Sequence, residues 1–326
     1  METYESLLAS IAPQAGESRT IFDPATGAAV GDAPVHTLED LERAVSAAVA
    51  AQPAWASLGH NGRSAALLRA ADAVERSAEE LAQLLSREQG KPLNGPNARF
   101  EVGACAAWLR AAATTPLEPE TIVDDGETRA ELHYRPIGVV GAIGPWNWPM
   151  MITTWQIAPA LRMGNAVVVK PSKMTPLSVL ALLHVINEEL PEGILTGISG
   201  DRTVGARLAE HPAVGKVMFT GSTAAGKEII KSSADTVKRL TLELGGNDAG
   251  IVLPDADPKA IAQNLFWGAF INTGQTCAAL KRLYVHEDLY DAVCEELVAV
   301  AKAMPMGNGL DENNVLGPLQ NKAQYD

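Results

Sequence analysis

The sequence predicts an α/β fold: a doubly wound parallel sheet, a hairpin arm, and the first part of a second α/β unit. Three observations predict it. Between Val139 and Glu243, short apolar runs alternate with stretches of helical periodicity, the pattern of βαβ units with helices on both faces of a parallel sheet. Upstream, Asp124-Asp125-Gly126 marks a turn within a segment of two-residue alternation, as a hairpin requires. Downstream, the strand–helix–strand order starts afresh at AGIVL, residues 249–253.

Taken in order, residues 37–87 read as helical. Thr37, Glu39 and Asp40 supply a start signal, and Leu67, Leu68, Leu81, Leu84 and Leu85 recur at helical spacing. Lys91 and Pro92 are expected to stop this stretch, and a second helix covers 99–113; both read as a packing layer. ETRAELHYRPIGVV alternates like strand and completes the hairpin. The strand candidates that follow are 139–143, 166–169, 193–198, 216–219 and 240–243, with helices at 152–162, 176–188, 202–210 and 223–235. Parallel sheets of this kind hold ligands at the carboxyl ends of their strands. Four such ends carry Pro145-Trp146-Asn147, Lys170-Pro171-Ser172, Thr220-Gly221-Ser222 and Glu243-Leu244-Gly245-Gly246. The second unit continues with a helix over 258–272 and a strand at RLYV, 282–285.

With 26 basic and 39 acidic residues the net charge is −13, which repels phosphate backbones and anionic lipid. Nucleic-acid and membrane binding through a general basic field are therefore not expected, and an anionic ligand must be held locally. Cys105, Cys277 and Cys294 cannot all pair, and none has metal-ligand spacing with a nearby His. No metal is expected, and a reducing cytoplasm fits. The first twenty residues lack the basic start and apolar run of a signal peptide. Apolar runs such as VVGAIG and AVVV are too short to span a bilayer.

Four positions carry chemistry, and each also has a plain alternative. GSTAAG (221–226) follows an apolar strand and opens a helix, where amides and the Ser222 hydroxyl can hold a pyrophosphate; it equally reads as a Gly-Ser helix cap. Lys170 after VVV faces either solvent or the ligand crevice. Cys277 in NTGQTCAALKR is either a small buried hydrophobe or a thiol exposed by the turn around Gly274. Glu243 beside a double glycine is either a solvated loop acid or a base for water.

Together, GPWNWP (144–149), KPS (170–172), FTGST (219–223), LELGG (242–246) and GQTCAA (274–279) make the chain resemble the aldehyde dehydrogenase superfamily. FDPATG (22–27) and GPL (317–319) extend the resemblance over nearly the whole chain. It implies a Rossmann-like cofactor domain over 1–118 and 139–245, an oligomerisation arm over 119–138, and an incomplete catalytic domain over 246–326. It implies oxidation of an aldehyde to a carboxylic acid, with Cys277 as nucleophile through a thiohemiacetal and a thioester. Asn147 and the Cys277 N–H would hold the oxyanion, and Glu243 would activate water. For NAD or NADP, Lys170 and Ser172 match adenosine-ribose contacts and Gly221 and Ser222 the pyrophosphate turn. Ile143, Pro145 and Trp146 would line the cleft, with Leu244 beside the nicotinamide. Lys173 stands where NAD-preferring members often carry Glu, so repulsion of a 2′-phosphate is absent and NADP stays open beside NAD.

Trp148 and Trp155 fall at substrate-tunnel positions, which points to an apolar or aromatic aldehyde. Family members continue well beyond Asp326, so the chain is expected to be truncated at its C-terminus, with weak activity or none as written. Full-length relatives form dimers or tetramers, and a homo-oligomer is expected of the parent. Two alternatives stand beside catalysis: an impaired nucleotide-binding fragment, and a cysteine-dependent esterase or thioesterase.

Overall fold

The computed structural model describes residues 3–13 and 16–326. It opens with α1 (Tyr4–Ile11), capped by a reciprocal Thr3–Ser6 pair, and an antiparallel hairpin of β1 (Ser18–Phe22) and β2 (Ala29–Pro34). The sequence pattern does not announce either. In the turn between the strands, the Asp23 carboxylate accepts from the Ala25 N–H at 2.7 Å.

The helical stretch 37–87 is three helices: α2 (Leu38–Ser57), α3 (Gly59–Arg76) and α4 (Ala78–Gln89). Thr37 caps α2 reciprocally with Asp40, as the start signal requires. The breaks fall at Leu58–Gly59 and Ser77. The stop is Gly90 rather than Lys91: a left-handed residue at φ +92° terminates α4 there. Next comes α5 (Ala98–Thr114), then the hairpin β3 (Glu120–Asp124) and β4 (Arg129–Leu132). The alternation seen through Val140 carries a strand ladder only to Leu132, because 133–138 finds no pairing partner. Every residue from 118 to 137 is exposed.

The main sheet follows the predicted alternation: β5 (Val139–Ile143), α6 (Pro149–Arg162), β6 (Ala166–Lys170), α7 (Pro176–Asn187), β7 (Leu195–Gly197), α8 (Arg202–Glu210), β8 (Val214–Thr220), α9 (Thr223–Ser233) and β9 (Arg239–Glu243). The strands are parallel, in the order β7-β6-β5-β8-β9. Winding therefore reverses between β5 and β8, the place where doubly wound sheets open a crevice. β5 and β6 are buried at every residue, which explains their continuous apolar sequence.

The last part holds β10 (Asp248–Val252), α10 (Pro258–Phe270), β11 (Leu280–Val285), α11 (Tyr290–Ala303) and the short α12 (Lys322–Tyr325). β10 and β11 pair in parallel as a separate two-stranded sheet. α10 stops at Phe270, short of 272, since Asn272 and Thr273 turn left-handed at φ +52° and +57°. Residues 305–320 run back over the α4–α5 turn, where Leu93 N–H donates to the Gly309 carbonyl at 3.0 Å. The approach at Gly317 is so close that a Cβ would lie 2.1 Å from the Gly90 carbonyl oxygen. Among the described residues no helix is long and apolar enough to cross a membrane.

Candidate active site

A cleft of about 550 Å³ opens at the carboxyl ends of β5, β6, β8 and β9. Its wall brings together Pro145, Trp146, Asn147, Lys170, Ser172, Lys173, Gly221, Ser222, Leu244 and Cys277, which the sequence scatters over more than a hundred residues. The sheet topology does this, by pointing every parallel strand at the same edge.

The cysteine loop is built from strain and lacing. Asn272 and Thr273 hold a left-handed conformation that is costly for residues bearing a Cβ. The surroundings hold it: Thr273 Oγ1 exchanges hydrogen bonds with Gly317 at 3.1 and 3.2 Å, and Gln320 N–H donates to Gln275 Oε1 at 2.9 Å. The loop is tied to the end of β5 as well. Asn147 Nδ2 donates to the Gln275 carbonyl at 2.8 Å, and Trp148 Nε1 to Thr276 Oγ1 at 3.0 Å. Asn272 Nδ2 returns a bond to the Asn147 carbonyl at 2.8 Å.

An amide group has two N–H donors, so Asn147 retains one for the cleft it lines. Among the described residues no group accepts the Cys277 N–H. Behind Cys277, Gly246 approaches so closely that a Cβ would lie 2.4 Å from the Cys277 carbonyl oxygen.

Beneath Asn147 lies a buried ion pair that the sequence does not flag. Lys91 and Glu101 both have fully buried side chains, and Lys91 Nζ donates to Glu101 Oε2 at 2.5 Å and to the Asn147 carbonyl at 2.8 Å. The ammonium also sits 3.6 Å from the centre of the Trp148 ring. Glu101 Oε1 accepts from Met150 and Met151 N–H at 2.9 and 3.1 Å, satisfying the first turn of α6.

At the other end, α9 begins where GSTAAG predicts. Ser222 is its N-cap, accepting from Ala225 N–H at 3.3 Å. The cap and the pyrophosphate assignments thus fall on one helix end. A Cβ at Gly221 would meet the Phe219 ring at 2.6 Å, so the backbone there stays bare. Lys170 is nearly buried and its Nζ donates to the Pro171 carbonyl at 3.0 Å. Burial, with Arg19 and Lys173 nearby, pushes its ammonium down to about 8, against a smaller opposing pull from Asp201. Lys170, Lys173, Arg202 and Lys281 face a single acid, Asp201, along this wall. That is a local excess of cations in an acidic chain, and with the α9 N-terminus it fits a dinucleotide phosphate.

Four predicted site residues stand elsewhere. Ile143 lines a second cavity of about 570 Å³ between α8 and α9, which shares Lys170, Arg202 and Phe219 with the first. Glu243 has an exposed side chain outside the cleft wall, while its carbonyl accepts from Gly221 N–H at 3.0 Å. Trp148 is buried behind the cleft rather than on its surface. Trp155 is 40% exposed, edge-on to Trp108 at 5.5 Å between ring centres, and does not line the cleft. The second cavity and the cations Arg202 and Lys281 were not evident in the sequence. Arg202 opens α8, and Lys281 follows the cysteine motif at the start of β11.

A doubly wound sheet with a helix N-terminus and a cluster of cations at one crevice has the form of a dinucleotide-binding oxidoreductase. The chain belongs to the aldehyde dehydrogenase family, whose model matches residues 11–326. It is 39% identical over 325 residues to a phenylacetaldehyde dehydrogenase of Pseudomonas fluorescens, covering 96% of this chain and 64% of that protein. It is 38% identical over 322 residues to a geranial dehydrogenase of Castellaniella defragrans, covering 97% and 67%. Among solved structures, PnpE from Pseudomonas sp. WBC-3 superposes with a TM-score of 0.92 at 38% identity, covering 97% of this chain and 66% of that one. PnpE has also been solved in complex with nicotinamide adenine dinucleotide. The chain thus spans about two-thirds of the length of the relatives it matches.

Proposed function

We propose that this cleft oxidises an aldehyde to a carboxylic acid with NAD(P)+, with Cys277 as the nucleophile. The observation that carries the proposal is the lacing of Asn147 to the loop of Cys277 in the crevice that also holds the α9 N-terminus and the cations Lys170, Lys173, Arg202 and Lys281. The Cys277 thiolate adds to the aldehyde carbon; a C–S bond forms and the carbonyl π pair moves to oxygen. The free N–H of Asn147 and the Cys277 N–H meet that oxyanion. When bound, the dinucleotide supplies the two-electron acceptor that takes the carbon to the acyl level. Cys277 then carries a thioester, and Glu243 accepts a proton from the water that hydrolyses it. For this the Glu243 carboxylate turns from solvent into the cleft, a movement its exposure leaves unopposed.

Lys170, Ser172, Gly221 and Ser222 hold the ribose and pyrophosphate, Leu244 flanks the nicotinamide, and the slot between α8 and α9 takes the adenine half. Lys173 presents no carboxylate to a 2′-phosphate, so NADP stands beside NAD. The phenylacetaldehyde and geranial dehydrogenases that the chain resembles support an apolar or aromatic aldehyde. Residues 1–118 and 139–245 form the cofactor unit (1, 2, 14 and 15 lie outside the described residues), 119–138 the arm, and 246–326 catalytic-unit sequence. The free thiols of Cys105, Cys277 and Cys294 suit a cytoplasmic chain, and the exposed arm suits a homo-oligomer, dimer or tetramer.

The test is absorbance at the NAD(P)H band as the chain meets a panel of aldehydes with each cofactor. Weak turnover that Cys277→Ala abolishes is the expected outcome. Cofactor binding without turnover would favour a nucleotide-binding role instead, and Cys277-dependent ester hydrolysis without NAD(P)+ a thioesterase.

A further inference from the structure

We propose that Lys91, held by Glu101, is a positioning residue that sets the Asn147 peptide and thereby aims the Asn147 amide at the oxyanion formed on Cys277. The inference rests on the roles given above to Cys277 and Asn147.

A fully buried ion pair is weak evidence of stability, because well-packed apolar residues of the same volume often serve as well. What apolar residues cannot do is bond a backbone. This pair bonds three backbone groups in one stretch: the Asn147 carbonyl through Lys91 Nζ, and the Met150 and Met151 amides through Glu101 Oε1. The Asn147 carbonyl oxygen also accepts Asn272 Nδ2 at 2.8 Å. Its two lone pairs are therefore taken from opposite sides, one by the α4–α5 turn and one by the cysteine loop. With the carbonyl so gripped, the Asn147 peptide has little freedom to rotate, and its side chain, bonded to the Gln275 carbonyl, stays beside Cys277. Trp148, against whose ring the ammonium rests, continues the lattice to Thr276, the residue before the thiol. Lys91 reaches no substrate, being wholly enclosed; it acts through Asn147.

The test compares the wild type, Asn147→Ala, the charge-neutral pair Lys91→Met with Glu101→Gln, and the combination of all three. Lys91→Met keeps the side-chain length without a donor, and Glu101→Gln keeps an acceptor for the α6 amides. Two readouts are taken: kcat against cofactor KM, and the protection of Cys277 from iodoacetamide by aldehyde without cofactor, which needs no turnover.

The pair should lower kcat about tenfold or more, a fraction of the loss expected on deleting an oxyanion donor, with cofactor KM and the unprotected alkylation rate unchanged. Aldehyde protection should weaken in step. Added to Asn147→Ala, the pair should cost nothing further. A pair variant indistinguishable from wild type, while Asn147→Ala is impaired, would overturn the proposal alone. A wild type that neither turns over nor is protected would overturn the functional reading and this proposal with it. If the pair variant does not fold, Lys91→Arg carries the same test: it keeps the charge but offers a planar fork where a point donor sat, and full activity in it would refute the assignment.

Discussion

Lys170 ends β6 with its ammonium nearly buried against the Pro171 carbonyl and held at about 8 by burial and by the cations Arg19 and Lys173. Below that pH it is charged and adds to the attraction for an anionic dinucleotide; above it the charge is lost. Cofactor affinity should therefore fall as pH rises through about 8, read from quenching of tryptophan emission, with Trp146 on the cleft wall. Lys170→Met should bind more weakly below pH 8 and lack that step; an identical profile in both proteins would show that another group titrates. Stability moves the other way. The folded-state value lies below the ordinary one of 10.5, so the unfolded chain binds more protons between the two values and stability rises with pH across that window. The crevice-facing placement of Lys170 was legible in sequence, since a strand end in a parallel sheet admits few alternatives. The outward turn of Glu243 was one of two readings the sequence left open, because a side-chain rotamer at an exposed strand end leaves no mark on local pattern.

Among the elements, the link from α9 to β9 carries an anomaly. Val237, a β-branched residue, adopts φ +49° and is 88% exposed. A left-handed conformation costs a residue with a Cβ roughly 1–2 kcal/mol, and Asn tolerates it better. Val237→Asn should raise stability by about 1 kcal/mol, seen as a higher denaturation midpoint at unchanged slope; a lower midpoint would show that the valine makes a contact worth more than the strain. The buried strands and the helices between them were legible because burial on both faces forces continuous apolar runs. The splitting of 37–87 at Leu58–Gly59 and Ser77 was not, since Ala-rich sequence stays helix-compatible across both breaks and tertiary packing sets the corners. The β1–β2 hairpin was hidden for a similar reason. Its strands bury only one residue each and lack clean alternation.

In the molecule as a whole, the β3–β4 arm is the segment proposed above to serve assembly. It is a two-stranded ribbon with every residue exposed, Ile122, Val123 and Leu132 among them, and such ribbons are marginal in water without a partner. Replacing 120–132 with a short Gly-Ser link should reduce the assembly to a smaller species by light scattering while leaving cofactor affinity unchanged. An unaltered mass would place the subunit contacts elsewhere.

By itself the sequence determined the alternation of strands and helices from Val139 to Glu243, the four strand-end motifs and the cysteine motif, and so the family. These features are local, because hydrophobic period and turn chemistry act over a few residues. Only the tertiary structure decided that Lys91 and Glu101 grip Asn147, that Trp148 bonds Thr276 instead of lining the cleft, and that residues 305–320 brace the strained turn before Cys277. Those contacts join positions 44 to 128 residues apart. They exist because the open sheet and its covering helices bring complementary donors and acceptors together in a water-excluded interior, where an unmade hydrogen bond is costly, and no local periodicity encodes that meeting.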